Sequence, residues 1–338
     1  MEEIQIQHSQ IENRDLYIDE PCVASFFIGE LGWLLSRFIG HLRFLKHNEY
    51  KDKKFILFTE LDYHIFVEDF VDYTIELPDW FYNMELERDC YEAPLPDSPP
   101  GSLTPPHVYS KIIEYCRTFY NIEKTVEIFP PRGCNNFMIY TPQVFRKFVR
   151  PKIKLERDII CVMPRGRSRA AFRNVPEFVW AEVVERLRRY FIVVLCGTPS
   201  GSFLSGYKAD NVINLIDYNG EDKMDQIVTY LNSAVCSISS QSGLTHVSLQ
   251  SCCPSYIIGH EKHRHAVVEN RFDVPVSFRY VPDYRAIDAE TILSDVAAML
   301  EKLNETENLK RQQYEDVANK HKETLNQIIG EVSCQKEK

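Results

Sequence analysis

The sequence predicts an α/β protein made of two doubly wound domains, each a parallel sheet covered by helices. Short apolar runs alternate with segments of helical spacing along most of the chain, the rhythm of a parallel sheet. A length of 338 residues is enough for two domains, each with its own core. A hydrophobic fraction of 44% with 26% charged residues is ordinary for a globular protein.

The first half carries the rhythm less regularly. Residues 1–20 are polar and read as a loose arm or an edge strand. Cys22 to Ile28 reads as the first strand, Gly29-Glu30-Leu31-Gly32 as a turn, and Trp33 to Leu45 as a helix. Trp33, Leu34, Leu35, Phe38, Leu42 and Leu45 fall on one broad face of that helix. Phe55 to Phe58 is a second strand, and Tyr63 to Phe70 a helix or a third strand. From 77 to 106 the pattern fails. Pro78, Pro94, Pro96, Pro99, Pro100, Pro105 and Pro106 prevent long helices and central strands. This insert reads either as an acceptor-binding loop or as a surface excursion packed by its aromatics. His107 to Tyr120 returns to helical spacing.

The second half is more regular. Asp158 to Met163 is a strand, followed by the loop Pro164-Arg165-Gly166-Arg167-Ser168-Arg169. Pro176 opens a helix with Trp180, Val183, Val184 and Leu187 at i, i+3, i+4 and i+7. Strands follow at Phe191 to Cys196 and Val212 to Leu215, then a helix marked by Met224, Ile227, Val228 and Leu231. Ala234 to Ile238 is a buried strand, and Ser255 to Gly259 another. This gives an acceptor-side domain over 1–145, containing the insert, and a basic linker over 146–156. A ligand-binding domain covers 157–290, and helices over 291–338 pack back on both.

A formal net charge of −10 excludes a protein whose main partner is a nucleic-acid backbone, while leaving room for a local basic pocket. No apolar run approaches the roughly 20 residues of a membrane span. The N-terminus, Met1 to Gln5, lacks the basic and apolar regions of a signal peptide. Ten scattered cysteines with no CxxC spacing fit buried, reduced thiols in a cytoplasmic protein better than zinc.

The chemistry concentrates at Ser239-Ser240-Gln241-Ser242-Gly243-Leu244-Thr245-His246. Strand, small-residue turn and helix make an anion site, because the first helical N–H groups lack partners and the dipole is positive there. Gly243 permits close approach, Ser242 and Thr245 add hydroxyls, and His246 falls in the first turn. A tight turn capped by Ser242 is the plainer reading. Arg165, Arg167 and Arg169 crowd five residues just past a strand end. Their forked guanidiniums suit phosphate oxygens, although a surface loop paired with carboxylates would look the same. His260, His263 and His265 fit contact with a base or sugar better than a metal site.

Three of these features together resemble the two-Rossmann-domain (GT-B type) glycosyltransferases, with closest similarity to the heptosyltransferases of lipopolysaccharide synthesis. Val193 to Pro199 looks like that family's strand ending in a Gly-x-Pro loop, here Gly197-Thr198-Pro199. Asn214 to Ala234 looks like its short strand and following helix. Ser240 to His246 looks like its Asp-Ser-Gly-Pro-x-His turn, with Gln241 in place of the acid and Leu244 in place of the proline. The resemblance covers roughly 157–260, and in the first half only Phe27 to Gly32, the glycine-rich loop after the first strand. There the family places its catalytic Asp. Glu30 is this loop's only carboxylate, although one alignment of the glycines sets Trp33 opposite that Asp.

The resemblance implies a nucleotide-diphosphate sugar donor, a carbohydrate or glycoconjugate acceptor and inverting single displacement with Glu30 as base. The donor contacts it implies are Arg165, Arg167, Arg169, Gly197, Thr198, Ser242, Gly243, Leu244, Thr245 and His246, with His260 and His263 near the base or sugar. No Asp-x-Asp triplet occurs in the chain, which fits a metal-independent enzyme without a cofactor. A nucleotide-sugar epimerase and a non-catalytic nucleotide-sugar binder are the alternatives.

Overall fold

The computed structural model describes residues 16–82, 106–130, 141–168, 170–260, 270–308 and 312. Most of the insert (83–105), most of the arm (1–15) and most of the stretch 309–338, where further helices are expected, lie outside the described residues.

In the first half, β1 (Cys22–Phe26), β2 (Lys54–Thr59), β3 (Tyr73–Glu76) and β4 (Thr125–Glu127) make a parallel sheet of order β3-β2-β1-β4. In the second half the strands are β5 (Ile159–Met163), β6 (Ile192–Leu195), β7 (Val212–Asn214), β8 (Cys236–Ser240), β9 (Ser255–Gly259) and β10 (Val276–Tyr280). Their order is β10-β9-β8-β5-β6-β7, with every pair parallel. Counted from its own first strand, this is the doubly wound order 3-2-1-4-5-6. β1, β5, β8 and β9 are buried along their whole length, as strands covered by helices on both faces must be.

The strand order reverses between β1 and β4 in one sheet and between β5 and β8 in the other. A crevice opens at each reversal, outside the carboxyl ends of the strands, and that is where such sheets bind ligands.

Several elements differ from the sequence pattern. Leu61–Phe66 is a 3-10 turn, and the third strand is β3 instead. Its Tyr-Thr-Ile-Glu sequence fully buries only Ile75, so it shows no apolar run. β8 extends two residues past the apolar run, to Ser240. The hydroxyls of Ser237, Ser248 and Ser255 bond one another inside the core at 2.6, 3.0 and 2.9 Å, which removes the penalty for burying them. The first helix runs from 31 to 48 with a π-helical segment, Leu34–Phe38, near its start. The last described helix covers 289–308.

Three apolar clusters fill the structure. One lies within the first half, around Phe26, Phe58 and Ile112, and one within the second, around Trp180, Val193 and Tyr256. The third crosses between the halves, joining Leu34, Leu35 and Leu57 to Cys161, Ile227, Val228 and Val247. The two sheets therefore share a core as well as having their own.

The stretch 146–156 has no regular structure and runs along both halves. Phe148 N–H donates to Gln250 O at 2.8 Å and Arg150 N–H to Asn232 Oδ1 at 2.9 Å. The Arg150 guanidinium grips Glu68 at 2.9 Å and Asp225 at 2.6 Å, one carboxylate from each half. Arg146 lies 3.4 Å from Asp69. Part of the linker's basic charge is thus spent on ion pairs rather than on solvent. Among the described residues, no helix is long and apolar enough to cross a membrane.

Candidate active site

The loop after β5 is fastened to the loop after β6. Gly166 N–H donates to Gly201 O at 2.9 Å, and Phe203 N–H to Pro164 O at 2.7 Å. A Cβ at Gly166 would lie 2.6 Å from Phe203 N, so only glycine fits. Gly197 is equally constrained: its φ is +158°, and a Cβ would fall 1.9 Å from Ser202 Oγ. Thr198 beside it is exposed.

This fastening sends Arg165 inward and Arg167 outward. Arg165 is 3% exposed and donates through Nη1 to Ala170 O and to Asn174 Oδ1. Asn174 Nδ2 in turn donates to Arg167 O at 2.8 Å. Burial pulls the Arg165 guanidinium down to about 10; the like charge of Arg173 adds to this, and Glu30 and Tyr284 oppose it. Through those Nη1 bonds Arg165 ties the loop after β5 to the 170–174 turn. Arg169 lies outside the described residues.

Arg167 Nη1 meets Glu30 Oε1 at 3.0 Å, with the two side chains 21% and 19% exposed. Glu30 stands at the N-cap of the first helix, and its carbonyl accepts from Trp33 and Leu34 N–H. Its side chain makes no capping bond. The carboxylate crosses to the other half instead, joining the loop after β1 to the loop after β5.

The Gly243–Gln250 helix begins between these two loops. Ser242 N–H donates to Thr245 Oγ1 at 3.2 Å, part of a capping box. Thr245 is fully buried, and its hydroxyl also lies 3.4 Å from Ser240 O and 3.3 Å from Ser239 Oγ. Thr245 thus shapes the turn, while Ser242 and Gly243 are only partly buried. Gly243 abuts the first half. A Cβ there would lie 2.9 Å from Gly32 N and 2.9 Å from Leu31 Cβ. His246 stands over Gly32, whose Cβ position is 3.8 Å from His246 Nε2. Leu244 is partly buried against the shared core.

On the other flank, His260 N–H donates to the Tyr284 hydroxyl at 3.0 Å, and the His260 ring lies 5.8 Å from Tyr280. Burial pushes the Tyr284 hydroxyl up, against the His260 N–H and the charges of Arg173 and Arg165. His263 and His265 lie outside the described residues. From sequence, Tyr284 stands only as a possible contributor alongside Tyr280 and Asp283, and Arg173 only as a further arginine past the loop, since neither sits in a motif. Only the packing of the Ala171–Arg173 turn against the Tyr284–Ala286 turn brings them to the site.

A separate cleft of about 360 Å³ lies along the seam, lined by Glu60, Asp62 and Glu76 from one half and Glu221 and Lys223 from the other. Lys223 is 7% exposed and donates to Ile216 O at 2.8 Å; burial draws its pKa down, against the charges of Asp62 and Asp217. Carboxylates dominate this lining and repel phosphate. Arg165 and Arg173 lie instead by the crevice between β5 and β8, where Glu30 also reaches across from the first half.

By sequence, no family model and no curated protein matches the chain. Solved structures do match in shape. The E. coli ADP-heptose lps heptosyltransferase II superposes with a TM-score of 0.50 at 12% identity, covering 84% of this chain and 99% of that one. The glycosyl transferase family 9 protein from Veillonella parvula DSM 2008 gives 0.51 at 9% identity, covering 85% and 99%. The chain has the GT-B type glycosyltransferase fold. The expected pair of doubly wound α/β units is thereby found, and the heptosyltransferase resemblance drawn from short motifs extends, as a likeness of fold, over most of the chain.

Proposed function

We propose that the protein is a glycosyltransferase that moves a sugar from a nucleotide-diphosphate donor to an acceptor hydroxyl by inverting displacement. The observation that carries this reading is the Glu30–Arg167 contact. It sets the loop at one sheet's reversal point against the loop at the other's, next to the Gly243–Gln250 helix N-terminus. A carboxylate and an anion site thus share one crevice.

In this reading Arg165, Arg173 and the first N–H groups of the helix hold the diphosphate and take up charge as it leaves. Glu30 accepts the proton of the attacking hydroxyl, and Arg167 orients it. Gly32 and Gly243 are in van der Waals contact, so the two loops part when the donor enters. Release of nucleoside diphosphate from a panel of nucleotide-sugars, with and without glycan acceptors and in excess chelator, tests the proposal. Acceptor-dependent release that survives chelation supports metal-independent transfer. Release that returns only with manganese or magnesium refutes the metal-independent reading, and epimerised sugar without release identifies an epimerase.

A further inference from the structure

The residue before the helix cap is a buried amide. Gln241 is 4% exposed, and its backbone N–H donates to Ile258 O at 3.1 Å, so it continues the β8–β9 ladder. Its side-chain oxygen has no hydrogen-bond partner among the described residues. A buried amide oxygen left unpaired is unfavourable, and native structures keep few of them without a reason.

The direction of that oxygen is fixed by its neighbour. A Cβ at Gly259 would lie 2.8 Å from Gln241 Oε1 and 2.6 Å from the Phe278 ring. Glycine at the end of β9 therefore leaves the space into which the amide points. β9 flanks β8 on the side away from β5. The oxygen thus lies between the N-terminus of the Gly243–Gln250 helix and the His260 turn, on the flank opposite Glu30 and Arg167.

We propose that Gln241 Oε1 reads the nucleoside of the donor, by accepting a hydrogen bond from a ribose hydroxyl or a base N–H. The proposal rests on the donor site described above. With the reacting sugar beside Glu30 and the diphosphate at the helix N-terminus, the rest of the donor extends toward β9. There it meets an unpaired acceptor, the His260 and Tyr280 rings and the Tyr284 hydroxyl. An acceptor selects for an N–H or O–H group and against a ligand lacking one, because the analogue leaves both sides unpaired.

The test is calorimetry of wild type and Gln241→Met with nucleoside diphosphates of several bases, their 2′- and 3′-deoxy forms and inorganic pyrophosphate. Gln241→Leu is a second variant of similar bulk. The expected result is a loss of about ten- to a hundred-fold for the preferred nucleoside diphosphate. Pyrophosphate affinity stays unchanged, and the ligand-free melting temperature does not fall, since an unpaired buried acceptor has been removed. If the ribose is read, the deoxy form loses affinity for wild type but not for the variant. If the base is read, wild type discriminates among bases and the variant does not. Equal loss for nucleoside diphosphate and pyrophosphate, or no loss for either, overturns the assignment while leaving the donor site standing. Wild type that binds none of these ligands overturns both.

Discussion

Replacing Glu30 separates a catalytic base from a tie between the two halves, because the two roles differ in size. The Glu30–Arg167 pair is 3.0 Å long, with both side chains about four-fifths buried (19% and 21% exposed). At an effective dielectric near 20, such charges attract by roughly 5 kcal/mol. Desolvation and screening cancel most of that, leaving on the order of 1–2 kcal/mol. Glu30→Gln keeps the shape and one hydrogen bond, so its effect on stability is at most about 1 kcal/mol. A tie of that strength alters turnover by no more than about ten-fold, since 1.4 kcal/mol is a factor of ten. Loss of a general base lowers turnover by about 10²–10⁴-fold. The assay is steady-state transfer by Glu30→Gln, Arg167→Met and the double variant, with urea unfolding of each. The expected result is a turnover loss above a hundred-fold for Glu30→Gln, with donor affinity intact and a stability coupling of about 1 kcal/mol to Arg167. Retention of more than a tenth of wild-type turnover would refute the base and leave Glu30 as a tie. The base would then be sought at Asp79 or at the insert's Glu85, Glu87 and Asp89.

Arg165→Met is expected to weaken nucleoside diphosphate binding by about 1.5–3 kcal/mol, the range for bonds to charged groups, as read by calorimetry. Unaltered affinity would remove Arg165 from the diphosphate site. Gly243→Ala places a Cβ 2.9 Å from the Gly32 backbone and should lower stability by about 1–3 kcal/mol through overpacking. Gly32→Ala meets only ordinary contacts at 3.5 Å and beyond and should be neutral or stabilising, so thermal melts that reverse this order would contradict the packing of the two loops. Burial pushes the Asp69 carboxyl up, but the hydrogen bonds and charge of Arg43 outweigh it and hold the group below its ordinary value. A lowered carboxylate contributes stability that is present above the unfolded value, near 3.9, and lost as pH falls through the folded one. Melting temperature should therefore drop below about pH 4, and this drop should be smaller in Asp69→Asn.

The second half was legible because its strands are apolar runs and its helices keep their spacing. β5, β6 and β9 fall within the runs Asp158 to Met163, Phe191 to Cys196 and Ser255 to Gly259. β3, β4 and β10 were not legible: each lies at a sheet edge, where much of its surface stays partly exposed and polar residues are tolerated. The candidate site was legible where a motif carried it, at Ser242, Gly243 and Arg165. The Glu30–Arg167 contact depends on residues 137 positions apart, and no local pattern encodes such a pairing. Arg173 and Tyr284 reach the site through tertiary packing alone. Gln241 looked like a departure from a motif, and only its burial shows that it has an oxygen to offer.

Amide hydrogen exchange with and without a nucleoside diphosphate tests most directly whether the donor sits between the two reversal points. The expected result is slowed exchange at 242–246 and 165–167, with the loop 29–32 changing alongside them because Gly32 must move away from Gly243. Protection confined to the cleft near Glu60 and Lys223, or none at 242–246, would contradict it.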